Sequence, residues 1–417
     1  MAGNAPPPPP DSAPGPRRWR AAPPSILEGG VLRPVLTLGL TQIVGFGTIY
    51  YAFGVLVARM SADLGLTTTL SYGLLSAALL AGSLTAPWAG ALIDRLGARR
   101  MMAAGSMVVA AGFALLSQVG GAWGLTGALV LIEMIAPLVL YDAAFAALAQ
   151  AVGEGRARRA ITLMTMLGGF ASTVFWPLTL ALQQNWGWRE AYLTFAALHL
   201  LLCLPLHLSL PGGDRGRAET RSAPPFAPLP APLHRRAMVL LALALALSWA
   251  VMSAFSAQWV PVLGALGLSQ TAAVAAGALM GPSQVAARVL EMLIAHHRHP
   301  MMTALVALAC LTLSVVLLAL APVGFASAAV FAVLFGVGQG LATTVRGTVP
   351  LALFGLRGYA ARLGRLASLR MLVAAIAPFA MAGSLALAGP WITLGLTAAL
   401  ALVALALMAA VPWRVTS

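Results

Sequence analysis

Long, continuously apolar segments recur along the chain, and they constrain its fold more than any other feature of the sequence. A hydrocarbon core about 30 Å thick is crossed by about 20 apolar helical residues, and twelve segments reach that length. They occupy residues 34–58, 70–93, 101–119, 125–149, 161–182, 192–210, 238–262, 271–295, 302–320, 326–354, 366–388 and 391–411. Because these segments do not alternate in polarity, a β-barrel is disfavoured. The sequence therefore predicts an all-α integral membrane protein with twelve transmembrane helices.

Composition excludes several classes of protein. Only 9% of the residues are charged, against about 25% in soluble domains, and the two cysteines are too few for a disulfide scaffold. The chain has no lysine, so it lacks a phosphate-binding P-loop. No catalytic arrangement of residues is evident, and His296-His297-Arg298-His299 is better explained by a polar turn than by a metal site. We therefore expect neither an enzyme nor a cofactor or metal, and no nucleic-acid partner.

The arginines predict the orientation of the chain in the membrane. With the N-terminus inside, 21 of the 25 arginines fall on the inner side. Arg59 and Arg189 fall outside, whereas Arg288 and Arg346 lie within spans. Since arginine-rich loops stay cytoplasmic, we expect both termini to be cytoplasmic and the protein to be a multi-pass protein of the inner (plasma) membrane.

Two polar, proline-rich stretches divide the chain. Residues 1–33 are predicted to be a disordered cytoplasmic tail, and 211–237 a basic cytoplasmic linker. They separate two six-helix bundles, 34–210 and 238–412, with residues 413–417 as a cytoplasmic C-terminus. Six helices on each side of a linker is typical of transporters built from internal repeats, and we expect two pseudo-symmetric bundles in a monomer.

The loop between the second and third apolar segments carries the strongest local motif. It reads Gly90-Ala-Leu-Ile-Asp94-Arg95-Leu-Gly97-Ala98-Arg99-Arg100. Gly90 permits close helix packing, Gly97 permits a tight turn, and the three arginines keep the loop inside. Asp94 is expected to face the positive N-terminal end of a neighbouring helix.

This motif resembles the loop signature of the major facilitator superfamily, in which an arginine often replaces Ala98. Tyr50-Tyr-Ala-Phe-Gly-Val55 is similar to the corresponding stretch of monocarboxylate and oxalate/formate-type facilitators, and Gly187-Trp188-Arg189 resembles an external loop of the superfamily. The resemblance implies two bundles that expose a central site alternately to either side. It also implies that spans 1, 4, 7 and 10 line the cavity.

Span 8 contains a polar stripe of Gln284, Arg288 and Glu291, spaced four and three residues apart on one helix face. The resemblance to monocarboxylate carriers implies that Arg288 binds an anionic substrate, because a guanidinium group matches the geometry of a carboxylate. The alternative is a structural pair of Arg288 with Glu291.

Spans 4 and 10 hold further candidates. Glu133 and Asp142 lie nine residues apart, on nearly opposite faces of a straight helix, and burial of Glu133 would suit a proton carrier. Arg346 in span 10 shares a face with Gln339 and lies at nearly the depth of Asp142. One hypothesis makes Asp142 and Arg346 a gate that pairs when the cytoplasmic side closes. The alternative pairs Asp142 with a loop charge of its own bundle, such as Arg99.

Gln42 and Tyr50 complete the set of substrate and coupling candidates. We expect a secondary transporter of a small solute, with an organic anion that is coupled to protons or exchanged as the first candidate, and with the lipid bilayer as its surroundings. Efflux of a toxic compound is an alternative, since residues 42–48 resemble a stretch of arsenite-exporting facilitators. A membrane sensor or scaffold without flux is an alternative of another class.

Overall fold

The computed structural model describes residues 30–211, 226, 228–295, 297–320, 322 and 324–413. Within them every regular element is a helix. Most of the predicted tail, most of the linker, His296 and residues 414–417 lie outside the described residues.

The first bundle contains six spans, four of which change helix type or break along their length. Span 1 is Leu32–Gly45, the π-helix Phe46–Tyr51 and Ala52–Asp63; span 2 is Thr68–Leu96; span 3 is Ala98–Leu116; span 4 is Ala122–Ile135, the 3₁₀ turn Ala136–Leu138 and Tyr141–Val152; span 5 is Glu154–Gly168 and Ala171–Asn185; span 6 is Trp188–Leu198, the π-helix His199–Cys203 and Leu204–Leu208.

The second bundle also contains six spans. Span 7 is Ala231–Ala265; span 8 is Gln270–Gly277 and Met280–Ile294; span 9 is Pro300–Leu320; span 10 is Phe325–Phe354; spans 11 and 12 form the continuous helical stretch Tyr359–Ala409. Span 7 begins inside the stretch that the sequence assigned to the linker, and span 11 begins seven residues before the predicted start.

Nine helical stretches of the described chain are individually long and apolar enough to cross a membrane. Tyr359–Ala409 would be about 77 Å long as one straight helix, more than twice the thickness of a bilayer core, and it turns at Gly389, where φ is +79° before Pro390. It therefore holds two spans. Spans 5 and 8 are each split into two short helices and are not among the nine stretches. Adding these two spans, and counting Tyr359–Ala409 as two, gives the twelve predicted spans.

The hydrophobic cores show where the two bundles meet. At the arginine-rich side, predicted to be cytoplasmic, one buried cluster joins residues of the first bundle to Leu351, Tyr359, Ala360 and Leu363 of the second. The core around Phe113 contains first-bundle residues, and the core around Phe331 contains second-bundle residues. The bundles are therefore closed against each other at the arginine-rich side.

Candidate substrate and coupling site

The loop between spans 2 and 3 binds the second bundle through Asp94. Its Oδ2 accepts a hydrogen bond from the Ala361 backbone N–H at 2.7 Å, and its Oδ1 accepts one from Ala360 at 3.2 Å. These N–H groups open span 11, where the first turn has no intrahelical acceptor. The carboxylate therefore faces a positive helix N-terminus, as the sequence indicates.

Glycines let the two helices approach closely at this point. A Cβ at Gly90 would overlap the carbonyl of Ala360, and one at Gly364 would overlap the carbonyl of Ala86. Gly97 adopts a φ of +89°, which turns the chain into span 3. The motif arginines Arg95, Arg99 and Arg100 are exposed at the same side.

Asp142 contacts two arginines of the second bundle. Its Oδ2 accepts a hydrogen bond from Arg370 at 3.0 Å, and its Oδ1 lies 3.5 Å from Arg346. Trp249 of span 7 lies beside both guanidinium groups, with ring centroids 4.7 Å from Arg370 and 5.6 Å from Arg346. The alternative pairing with Arg99 is wrong, because the carboxylate faces the opposite bundle.

Arg288 is buried and bridges the bundles through backbone carbonyls. Its Nη1 donates to the carbonyl of Thr165 in span 5 at 3.1 Å, and its Nε donates to that of Gly340 in span 10 at 3.1 Å. Thr165 lies in the last turn before span 5 breaks, where the helix C-terminus favours a positive charge.

Glu291 pairs with Arg158, and the expected alternative of an Arg288–Glu291 pair is therefore wrong. Arg158 Nη2 lies 2.6 Å from Glu291 Oε1 and also donates to Thr303 at 3.0 Å. Although Arg288 and Glu291 share a helical stripe, their partners lie at opposite ends of the first half-helix of span 5, Glu154–Gly168. Arg288 contacts the end of this half-helix, and Glu291 contacts a residue near its beginning.

The polar residues Gln284 and Gln339 bind each other. Gln284 Nε2 donates to Gln339 Oε1 at 3.0 Å, joining spans 8 and 10. This approach depends on Gly340, since a Cβ there would lie 2.7 Å from the carbonyl oxygen of Gln284. Both side chains are only partly buried.

Glu133, Gln42 and Tyr50 occupy different surroundings. Glu133 is 4% exposed, and none of the described residues forms a hydrogen bond or ion pair with its carboxyl group. Gln42 is fully buried and donates to the carbonyl of Val139 at 2.8 Å, which gives it a supporting position at the break in span 4. Tyr50 lies in the π-helix of span 1 and is exposed.

Sequence reasoning missed Arg370, Arg158 and Trp249 as members of these contacts. Arg370 was counted among the inner-side arginines, but span 11 begins at Tyr359 and places it eleven residues inside the helix. A run of charged residues at 357–370 concealed the start of the span. The straight-helix angle between Glu133 and Asp142 also does not apply, because span 4 breaks between them.

Solved structures with the same architecture have low sequence identity to this chain. The human organic anion transporter MFSD10 (TETRAN) is 17% identical with a TM-score of 0.69, over 90% of this chain and 99% of that one. FucP in the outward conformation is 15% identical with a TM-score of 0.70, over 91% and 99%. The proton:xylose symporter XylE bound to 6-bromo-6-deoxy-D-glucose is 13% identical with a TM-score of 0.71, over 92% and 96%.

At these identities the likeness concerns the fold. No curated protein sequence matches the chain. The family model described as Major Facilitator Superfamily matches residues 38–378, most of the chain, including the Asp94 motif, the first bundle from residue 38 and much of the second bundle. The chain therefore belongs to the Major Facilitator Superfamily.

Proposed function

We propose that the protein is a secondary transporter of a small organic anion, coupled to protons or operating by exchange. The bundles rock about a central site that contains Arg288, Arg346, Arg370 and Asp142. Superfamily membership supports transport rather than catalysis, and the charges of the site support an anionic substrate.

The excess of positive charge among these buried residues is the observation that carries the proposal. Arg288, Arg346 and Arg370 are 5%, 7% and 7% exposed, and Asp142 is the carboxylate that contacts two of them. Glu291 is engaged by Arg158. A buried arginine costs about 2.5–3.5 kcal/mol on insertion scales, and these three guanidinium groups exceed the one carboxylate by two positive charges, which favours an anion.

Two resemblances agree with this substrate class. MFSD10, which shares the fold, is described as an organic anion transporter. Tyr50-Tyr-Ala-Phe-Gly-Val55 resembles the same stretch in monocarboxylate and oxalate/formate-type carriers. Planar carboxylates suit guanidinium groups because two parallel N–H···O bonds form together.

Glu133 is our candidate for proton coupling. Its carboxyl group is buried without a hydrogen bond or ion pair among the described residues, and an ionised carboxylate is costly in such surroundings. The protonated form therefore suits this conformation, and a change of surroundings during the cycle would release the proton.

The proposed setting is the inner membrane, with both termini cytoplasmic and the protein monomeric. The 21-to-2 distribution of arginines supports this orientation. On this assignment the structure is closed on the cytoplasmic side.

The experiment that tests the function measures uptake into proteoliposomes, with and without an imposed pH gradient. The panel contains pyruvate, lactate, succinate and benzoate, with xylose and tetraphenylphosphonium as neutral and cationic comparisons. Uptake of acids alone supports the proposal, and robust transport of only the neutral or cationic solute contradicts it.

Arg288→Gln sharpens the test. Loss of one charge-assisted hydrogen bond, about 1.5–3 kcal/mol, should raise the half-saturating concentration of a transported acid about 10- to 150-fold. Arg288→Lys keeps the charge but lacks the planar guanidinium group, so its half-saturating concentration should lie between those of the wild type and Arg288→Gln. Unchanged affinity in well-expressed Arg288→Gln would remove this residue from the site.

A further inference from the structure

Span 4 is interrupted in the middle of the membrane, and a second helix begins there. The helix ends at Ile135, Ala136–Leu138 forms a 3₁₀ turn, and Leu140 is extended (φ −87°, ψ −170°) before Tyr141–Val152 begins. Pro137 contributes to the break because it has no N–H to donate to the preceding turn. The start of this second helix lies about 17 Å from the end of the span at Val152.

Neighbouring spans satisfy carbonyl groups at this break. Thr85 of span 2 donates to the Met134 carbonyl at 2.8 Å, and Gln42 of span 1 donates to the Val139 carbonyl at 2.8 Å. Buried backbone acceptors need such partners. Two side chains on different helices thus supply donors to the break.

The backbone N–H groups in the first turn of the second helix differ from these carbonyl groups in their hydrogen bonding. The N-cap Leu140 provides no side-chain acceptor, and none of the described residues accepts a hydrogen bond from the N–H of Tyr141, Asp142 or Ala143. Asp142 stands in the first turn, but its oxygens face Arg346 and Arg370. The first turn therefore presents free donors and the positive end of a helix.

Arg346 provides a second, independent indication of a ligand. It is 7% exposed, its Nε is buried without a hydrogen-bond partner among the described residues, and its guanidinium lies 5.0 Å from the ring centroid of Tyr141. Its separation from Asp142, 3.5 Å, exceeds ordinary hydrogen-bond length, whereas the Arg370 contact is 3.0 Å. Arg346 can therefore turn to a ligand while Arg370 keeps Asp142.

We propose that the break in span 4 is the carboxylate subsite of the transporter: the N–H groups of Tyr141, Asp142 and Ala143, together with Arg346, bind the carboxylate of a small organic acid. This inference rests on the proposed function and assigns the anion a position within it. Helix N-termini and arginine both favour carboxylates, so the two contributions act on the same oxygens.

A carboxylate supplied by the chain itself tests the subsite. In Leu140→Asp, an aspartate at the N-cap would bond the free N–H groups, as N-cap aspartates commonly do, and would exclude the substrate. Leu140→Ala is the matched control, since it removes the same side chain without adding an acceptor. Binding of pyruvate, lactate, succinate and benzoate is measured by calorimetry on purified full-length protein in nanodiscs, independently of transport.

We expect Leu140→Asp to bind these acids about 10- to 100-fold more weakly than the wild type, and Leu140→Ala within about threefold. Equal binding by the two variants would overturn the subsite while leaving the proposed function intact. No binding of any acid by the wild-type protein would overturn both.

A second pair of variants decides the question if Leu140→Asp does not reach the membrane. Pro137→Ala restores an N–H that allows the first helix to continue and close the break, and it should weaken acid binding at least about threefold. Pro177→Ala, at an exposed position in span 5, is its control and should bind like the wild type. Wild-type affinity in folded Pro137→Ala would count against the subsite.

Discussion

Asp94→Asn should shift the transporter away from the conformation closed at the arginine-rich side. Asp94 holds the start of span 11 through two backbone N–H groups, at 2.7 and 3.2 Å. The asparagine amide keeps one acceptor oxygen but turns a donor toward the other N–H. The variant thus loses one hydrogen bond and the charge that faces the helix N-terminus.

The size of the effect follows from these losses. A charge-assisted bond contributes about 1.5–3 kcal/mol, and a retained neutral bond about 0.5–1.5 kcal/mol. The lost interaction with the helix dipole adds about 0.3–1 kcal/mol. Two charge-assisted bonds are replaced by one neutral bond, so the net loss, with the dipole interaction included, is about 3–5 kcal/mol, a change of at least about 100-fold in the equilibrium between conformations.

Double electron–electron resonance measures this shift directly, as distances between spin labels at the arginine-rich ends of the two bundles. The long-distance population should grow in Asp94→Asn, and flux into proteoliposomes should fall sharply. Asp63→Asn is the matched control. It also removes an ion-paired carboxylate, but Asp63 pairs with Arg189 of its own bundle, at the other side of the membrane. Wild-type distances and flux in Asp94→Asn would refute the reasoning.

Three further predictions concern orientation, coupling and stability. A reporter fused after Arg414 should read cytoplasmic and one inserted beside Arg189 external, and the reverse at either point would contradict the twelve-span topology. Glu133→Gln should retain exchange of acids but lose accumulation driven by a pH gradient; undiminished accumulation would exclude Glu133 as the proton carrier. Glu291→Gln should lower the free energy of unfolding by about 3–5 kcal/mol, because Arg158 is left without its carboxylate. Adding Arg158→Gln should restore most of this stability, as calorimetric or fluorescence melting would show.

The sequence alone predicts most of the fold, because lipid admits few alternatives. A stretch of about 20 apolar residues has to form a helix that crosses the bilayer, and this logic recovers all twelve spans. It does not locate the breaks. Pro137 lies in a span that breaks, whereas Pro87 lies in a continuous helix, so proline alone does not mark the difference.

The site was less predictable because its contacts cross between the bundles. Arg288 and Glu291 are three residues apart and share a helix face, so local spacing favours a pair, yet each finds a partner on span 5. Distances along one helix cannot reveal which residues a second bundle brings nearby. The Asp94 contact was foreseeable because a helix N-terminus offers donors whatever its side chains are.

Two of the contacts between the bundles at the arginine-rich side lie at corresponding places but differ in chemistry. Asp94, in the last turn of span 2, binds the backbone at the start of span 11, whereas Glu291, in span 8, binds the Arg158 side chain near the start of span 5. Spans 2 and 8 occupy corresponding positions in their bundles, as do spans 5 and 11.

This difference predicts different outcomes from similar substitutions. When Asp94 loses its charge, the N–H groups that it held belong to a helix start that water would reach once the bundles separate, so the cost appears in the balance between conformations. When Glu291 loses its charge, Arg158 remains with only 14% of its side chain exposed, and a stranded buried cation destabilises the folded protein itself. Asp94→Asn should therefore alter label distances with little change in melting temperature, and Glu291→Gln should lower the melting temperature first. The opposite pattern would show that Asp94 is chiefly structural and Glu291 chiefly conformational.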